Sequence, residues 1–207
     1  MQRSMMVAAI TLLVVAQPVA AHELDRPHPD APPEMAQFSF LVGEWECKAK
    51  FLNSDGEYGE TSGRWVGYYT LGGFAFQDDW YSPNLRGTTW RTWDPVGKRW
   101  VNRWLQAGVD KPAGFTGDTF YGGLKAGRMI LEAQGKDTRG SYVDRITFYD
   151  IADDHFSWKL DRSYDSGKTW IKNMTMTEAT RVEQKEAPAE AVDAAGSSET
   201  SPDEPEE

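Results

Sequence analysis

Ten short stretches of aromatic and β-branched residues follow one another through the middle of this 207-residue chain. They run approximately over 40–51, 61–71, 73–82, 87–93, 98–106, 114–121, 127–134, 141–149, 154–164 and 168–177. Gly, Asp, Asn and Pro part them, and LGG at 71–73, DPVGK at 94–98, KAG at 125–127 and YDSGK at 164–168 read as hairpin turns. No convincing helix lies between Phe38 and Thr177. Short strands joined by local turns make a meander, and closing it buries one face while leaving no free edge. The chain is therefore expected to be all-β, an antiparallel up-and-down β-barrel of about ten strands. A two-sheet sandwich is the competing arrangement and needs longer crossovers than these loops provide. Cys47 is the only cysteine, which rules out an intrachain disulfide and a thiolate zinc cluster. The core alone must hold the domain, and Cys47, with no evident base, reads as part of it rather than as a nucleophile.

Both ends of the chain read differently from the middle. Residues 1–21 carry Arg3, an apolar run from Met5 to Ala16, Pro18 and then small residues, the pattern of a secretory signal cleaved after Ala21. The run falls short of the roughly 20 residues that span a bilayer, so no stable membrane anchor is expected. A periplasmic or secreted location follows. Residues 22–35 read as a flexible linker, 36–182 as the barrel domain, and 183–207 as a disordered acidic tail without aromatic residues. The net charge of −10 belongs to these ends: the tail carries −8, the linker −3, and the barrel segment balances to zero. A neutral domain beside an acidic tail argues against nucleic acid, although arginine and tryptophan alternate at 90–104.

The stretch TTWRTWDPVGKRWVNRWL, residues 88–105, places four tryptophans on one hairpin. A three-residue loop at Pro95-Val96-Gly97, with Gly97 left-handed, pairs Asp94 with Lys98. That register gives one face Thr88, Trp90, Thr92, Trp100, Asn102 and Trp104. The other carries Arg91, Trp93, Arg99 and Arg103 with Thr89, Val101 and Leu105. Burial of three indoles favours the first face inward. The reverse would gather three arginines into an anion site, and a slip of one residue would change the pairing. Elsewhere Trp45, Cys47, Ala49 and Phe51 share a parity, as do Phe156, Trp158, Leu160, Arg162 and Tyr164. Arg162 on such a face needs a partner. Packing over Trp45 is the favoured role, contact with a ligand anion the other. Asp144 shares a face with Tyr142, Ile146 and Phe148, yet the opposite face is almost as apolar and its direction stays open. If inward, it is a buried acid, either a general base or the partner of Arg162.

The opening FSFLVGEWECKAKF contains Gly43-Glu44-Trp45, which resembles the G-x-W of lipocalins and the wider calycin group. Over about 36–177 the chain resembles DUF1579, a bacterial family of unknown function. The resemblance rests on FLVGEWE, on Leu71-Gly72-Gly73 followed by a strand ending Asp79-Trp80-Tyr81, and on GTTWRTWDPVGKRW. It implies a calycin- or lipocalin-like barrel and no established activity. In lipocalins an arginine from a late strand packs over this tryptophan, which implies that role for Arg162 or Arg181 over Trp45. The lipocalin disulfide is absent, and no long helix precedes the last strand. Nitrobindin, another barrel of this group, binds haem through a histidine; here His155, the sole histidine of the domain, reads as outward-facing.

No metal or cofactor is expected. His22 and His28 sit in a proline-rich segment that does not preorganise ligands, and no zinc set, calcium loop, phosphate loop or nucleophile motif appears. The sequence thus points to an exported barrel that binds a small apolar or aromatic molecule. Trp90, Trp100, Trp104 and Trp158 are expected to line the cavity, with Asn102, Asp144 and Arg162 fixing polar groups. A barrel filled by its own indoles, serving as a scaffold, is one alternative. An enzyme acting on a lipid-like or isoprenoid substrate is another.

Overall fold

The structure, a computed structural model, describes residues 25–108 and 117–183. The signal segment 1–21, residues 22–24 of the linker and residues 184–207 of the acidic tail lie outside the described residues, as do 114–116 of the sixth expected strand. The described residues form ten strands: β1 (Gly43–Leu52), β2 (Tyr58–Thr70), β3 (Ala75–Tyr81), β4 (Leu85–Asp94), β5 (Arg99–Gly108), β6 (Thr119–Lys125), β7 (Arg128–Asp137), β8 (Gly140–Tyr149), β9 (His155–Ser163) and β10 (Ile171–Arg181). Each pairs antiparallel with its sequence neighbour, and β1 pairs with β10 to close the barrel. Alternation drives this. Along β1, Trp45, Cys47 and Ala49 are buried while Glu46, Lys48 and Lys50 face solvent.

One element is absent from the strand reading. Pro33–Leu41 forms a 3-10 helix that begins inside the segment expected to be a linker. Met35, Phe38 and Leu41 recur every three residues, the period of that helix, and all three are fully buried. The segment before it also docks: the His28 amide donates to the Gly73 carbonyl at 3.1 Å, and the His28 ring stacks on Phe74. The helix closes one end of the barrel. Phe38 meets Trp100 edge-on at 4.7 Å and packs near Phe76 and Phe148. Tyr69 donates to the Met35 carbonyl, Trp45 to the Leu41 carbonyl and Trp100 to the Gln37 side chain. A Cβ on Gly67 would strike the Leu41 carbonyl, so the helix can settle only on a glycine there.

Arg181, not Arg162, packs over Trp45. Its guanidinium lies 4.0 Å from the ring centroid and donates to the carbonyls of Val42 and Phe40. Register decides the choice, since Arg181 stands directly across from Trp45 on the closing pair. The favoured role for Arg162 is therefore corrected.

The β4–β5 hairpin is also corrected. Asp94 pairs with Arg99 rather than Lys98, giving a four-residue loop in which Lys98 takes the left-handed conformation at φ +48°. Asp94 holds this loop by accepting from the amides of Val96 and Gly97 and by pairing with Arg99. The extra residue leaves β5 facing as expected and turns β4 over. Thr89, Arg91 and Trp93 now lie across from Trp104, Asn102 and Trp100, while Trp90 points outward beside Arg103 and is 39% exposed.

Candidate ligand cavity

The barrel interior has two halves. Near the helix, Trp45, Phe76, Trp100, Phe148 and Phe156 pack with Phe38 into a solid core. The other half encloses a cavity of about 520 Å³. It extends from Arg91 and Asn102 in the middle of the barrel to Phe51, Asn84 and Asp118 at a solvent-exposed rim.

The walls are largely indole. Trp65, Trp80, Trp104 and Trp158 line them together with Phe120 and Leu160. Trp65 stands edge-on to Trp80 at 5.8 Å and to Trp158 at 6.4 Å. Two of the indole N–H groups are already engaged, Trp65 with Asp78 at 2.7 Å and Trp104 with Gln106 at 3.0 Å. Those two rings therefore present apolar surface to the cavity. Trp104 folds against Gly87, where any side chain would occupy the space of its ring.

Among the polar side chains of the lining are two charged clusters. At the floor, Arg91 forms an ion pair with Asp78, and both are almost wholly buried. Burial pulls the Arg91 guanidinium down to about 9, which leaves it charged at neutral pH and balanced by Asp78. Its face lies 4.8 Å from the Phe38 ring centroid. Beside it Asn102 is 1% exposed, and neither end of its amide has a hydrogen-bond partner among the described residues. On the wall, Asp144 accepts two bonds from Arg162, at 2.7 and 2.8 Å. Arg162 also reaches Asp137 at 3.2 Å and stacks on Tyr142 at 3.6 Å. The hydrogen bond to Asp144 raises its already high pKa further. Tyr164 donates to the same Asp137 oxygen at 2.6 Å.

Of the seven residues expected at a site, Asn102, Trp104, Asp144, Trp158 and Arg162 line this cavity. Trp100 faces inward but belongs to the solid half, against Phe38 and Gln37. Trp90 is outside. Asp144 is inward and serves as the partner of Arg162, one of the two roles open to it. Sequence reasoning did not place Trp65 or Trp80 at the site, noted Asp78 only as a carboxylate beside Trp80, and brought Arg91 inward only in the reverse facing of the hairpin. Gly63 and Gly67 flank Trp65 at the same parity, Gly63 making room for the Trp80 ring and Gly67 for the Leu41 carbonyl.

Cys47 and His155 lie apart from the cavity lining. Cys47 is buried, and desolvation pushes its thiol up to about 12, far from a reactive thiolate. His155 is exposed and bonded to Asp154 at 2.8 Å. Among the described residues no group of three or more His, Cys, Asp or Glu is placed to hold a metal ion, and no helix is long and apolar enough to cross a membrane. A wider groove runs along the outer face of β6, β7 and β8. Its Arg145 is already engaged, bonded to Glu132 and stacked 3.8 Å from the Trp170 centroid.

No family model and no curated protein matches the chain. Among solved structures it is similar to the crystal structure of Rv2717c from M. tuberculosis, with 13% identity and a TM-score of 0.46 over 74% of this chain and 100% of that one.

Proposed function

We propose that this protein is an exported barrel of the DUF1579 kind that binds a small apolar or aromatic molecule in its indole-lined cavity. The observation that carries the reading is the cavity itself. Its volume of about 520 Å³ falls in the range of roughly 300–1,000 Å³ typical of small-molecule sites. Its apolar walls with a few convergent polar groups have the usual composition of such sites. Core packing around the 3-10 helix leaves this half of the barrel unfilled, which speaks against a solid scaffold. The two buried acids beside the cavity are neutralised, Asp78 by Arg91 and Asp144 by Arg162, so neither stands as a free general base, and the other lining carboxylate, Asp118, lies at the exposed rim. Binding is accordingly favoured over catalysis. Export rests on residues 1–21 and is tested by sequencing the N-terminus of protein recovered from its own cells, with His22 expected first.

The binding test is native mass spectrometry of protein purified from its own host, followed by organic extraction. A reproducible bound small molecule is the expected result. Repeated recovery of empty protein, together with failure of a panel of aromatic probes to bind, would overturn the reading.

A further inference from the structure

We infer that the cavity selects a ligand whose buried end is an uncharged carboxamide or lactam, seated on Asn102, and discriminates against the ionised carboxylate of the same skeleton. This rests on the binding role proposed above and goes further, to the chemistry of the ligand's head.

Asn102 sits on β5 between Trp100 and Trp104, facing inward. A strand position in an apolar wall ordinarily takes an aliphatic or aromatic side chain. Here the chain places an amide that is 1% exposed and unpartnered at both nitrogen and oxygen. A buried amide in that condition is costly, and a ligand that completes its hydrogen bonds removes the cost. Its cross-strand neighbours do not complete them. Phe120 on β6 has no polar group to offer. Arg91 on β4 offers only donors, and its Nε is itself unpartnered. Outside the Arg91–Asp78 ion pair, the unpartnered buried groups here are the donors Asn102 Nδ2 and Arg91 Nε and the acceptor Asn102 Oδ1. A primary carboxamide or a lactam matches them, accepting from Nδ2 and donating to Oδ1.

Charge sets the second half of the inference. Arg91 is neutralised by Asp78, and Arg162 by Asp144 with Asp137 beyond it. Asp118 at the rim adds a further carboxylate to the lining. An entering carboxylate would shed its water against no unpaired cation, and an entering ammonium would find donors at the floor. A neutral head avoids both penalties.

The experiment is isothermal titration calorimetry at pH 7.5 with three matched probes: 2-naphthamide, 2-naphthoate and 2-methylnaphthalene. The amide is expected to bind about tenfold or more tightly than either of the others, because only it completes the floor's hydrogen bonds. In Asn102→Leu the amide should fall to the level of 2-methylnaphthalene measured with the same variant. Removing an unpartnered buried amide should not lower the melting midpoint. Asn102→Ala, which adds no bulk to the wall, serves as a second variant with the same expected loss. Naphthoate binding as tightly as the amide, or an amide preference surviving in both variants, would sink the inference while leaving the binding role intact. Failure of all three probes would overturn this inference, and the binding role falls with it only where the protein is also recovered empty from its host.

Discussion

A guanidinium only 2% exposed in the middle of a barrel must have a counter-charge, and Arg91 finds it in Asp78, one strand away. Asp78→Asn keeps an oxygen for the Trp65 indole but leaves the buried cation unbalanced. We expect it to cost about 3–5 kcal/mol, read as a lowered urea midpoint with unchanged slope. Replacing both partners, Arg91→Met with Asp78→Asn, keeps the Trp65 acceptor and should cost less than the single change; a double variant that is worse would refute the pairing argument. None of this was legible along the chain. Arginines on a tryptophan-rich hairpin read naturally as outward, and nothing local to Asp78 marks it as the partner of a residue 13 positions on. The same limit applies to Arg162 and Arg181. Both are late-strand arginines; the β8–β9 register sets Arg162 across from Asp144, and the closing β1–β10 register sets Arg181 across from Trp45.

At the scale of elements, alternation and turn chemistry placed the strands well because both are local properties. The β4–β5 turn failed by one residue. A three-residue and a four-residue loop fit the same DPVGK, and Asp94 capping two loop amides tips the balance to the longer one. The β9–β10 turn has its own clasp. Asp165 accepts from the Thr169 amide and hydroxyl, at 2.8 and 2.7 Å, and from Ser163. The Thr169 amide first, then its hydroxyl, holds the Asp165 carboxyl down at about 2. A folded value below the ordinary 3.8 means the clasp stabilises the protein above about pH 4, and this contribution is lost as pH falls toward 2. Asp165→Ala should therefore flatten the acid limb of a pH-dependent denaturation profile over that window. A limb of unchanged steepness would dismiss the clasp. The 3-10 helix is expected to matter more. Phe38→Ala empties a fully buried site among Phe76, Trp100 and Phe148, and should cost about 3–5 kcal/mol by thermal or chemical melting.

For the whole molecule, the helix at one end and the cavity at the other divide the barrel into a part that supplies stability and a part open to function. A functional consequence belongs here. Trp104→Ala and Trp158→Ala, which strip the cavity wall, should weaken binding of an aromatic probe by about tenfold or more. Trp90→Thr, on the outer surface, should leave binding unchanged in the same titration. Equal losses for all three would contradict a site inside the barrel. The sequence by itself determined the strand set, the antiparallel closure and which residues of β1, β5 and β9 share a face, because each follows from alternation and short turns within a few residues. The tertiary structure alone decided that Arg91 lies inside and Trp90 outside, that Asp144 meets Arg162, and that half the barrel stays open. Those outcomes depend on cross-strand register, where one added loop residue reverses a face, and on a plug from the N-terminal segment that reaches only one end.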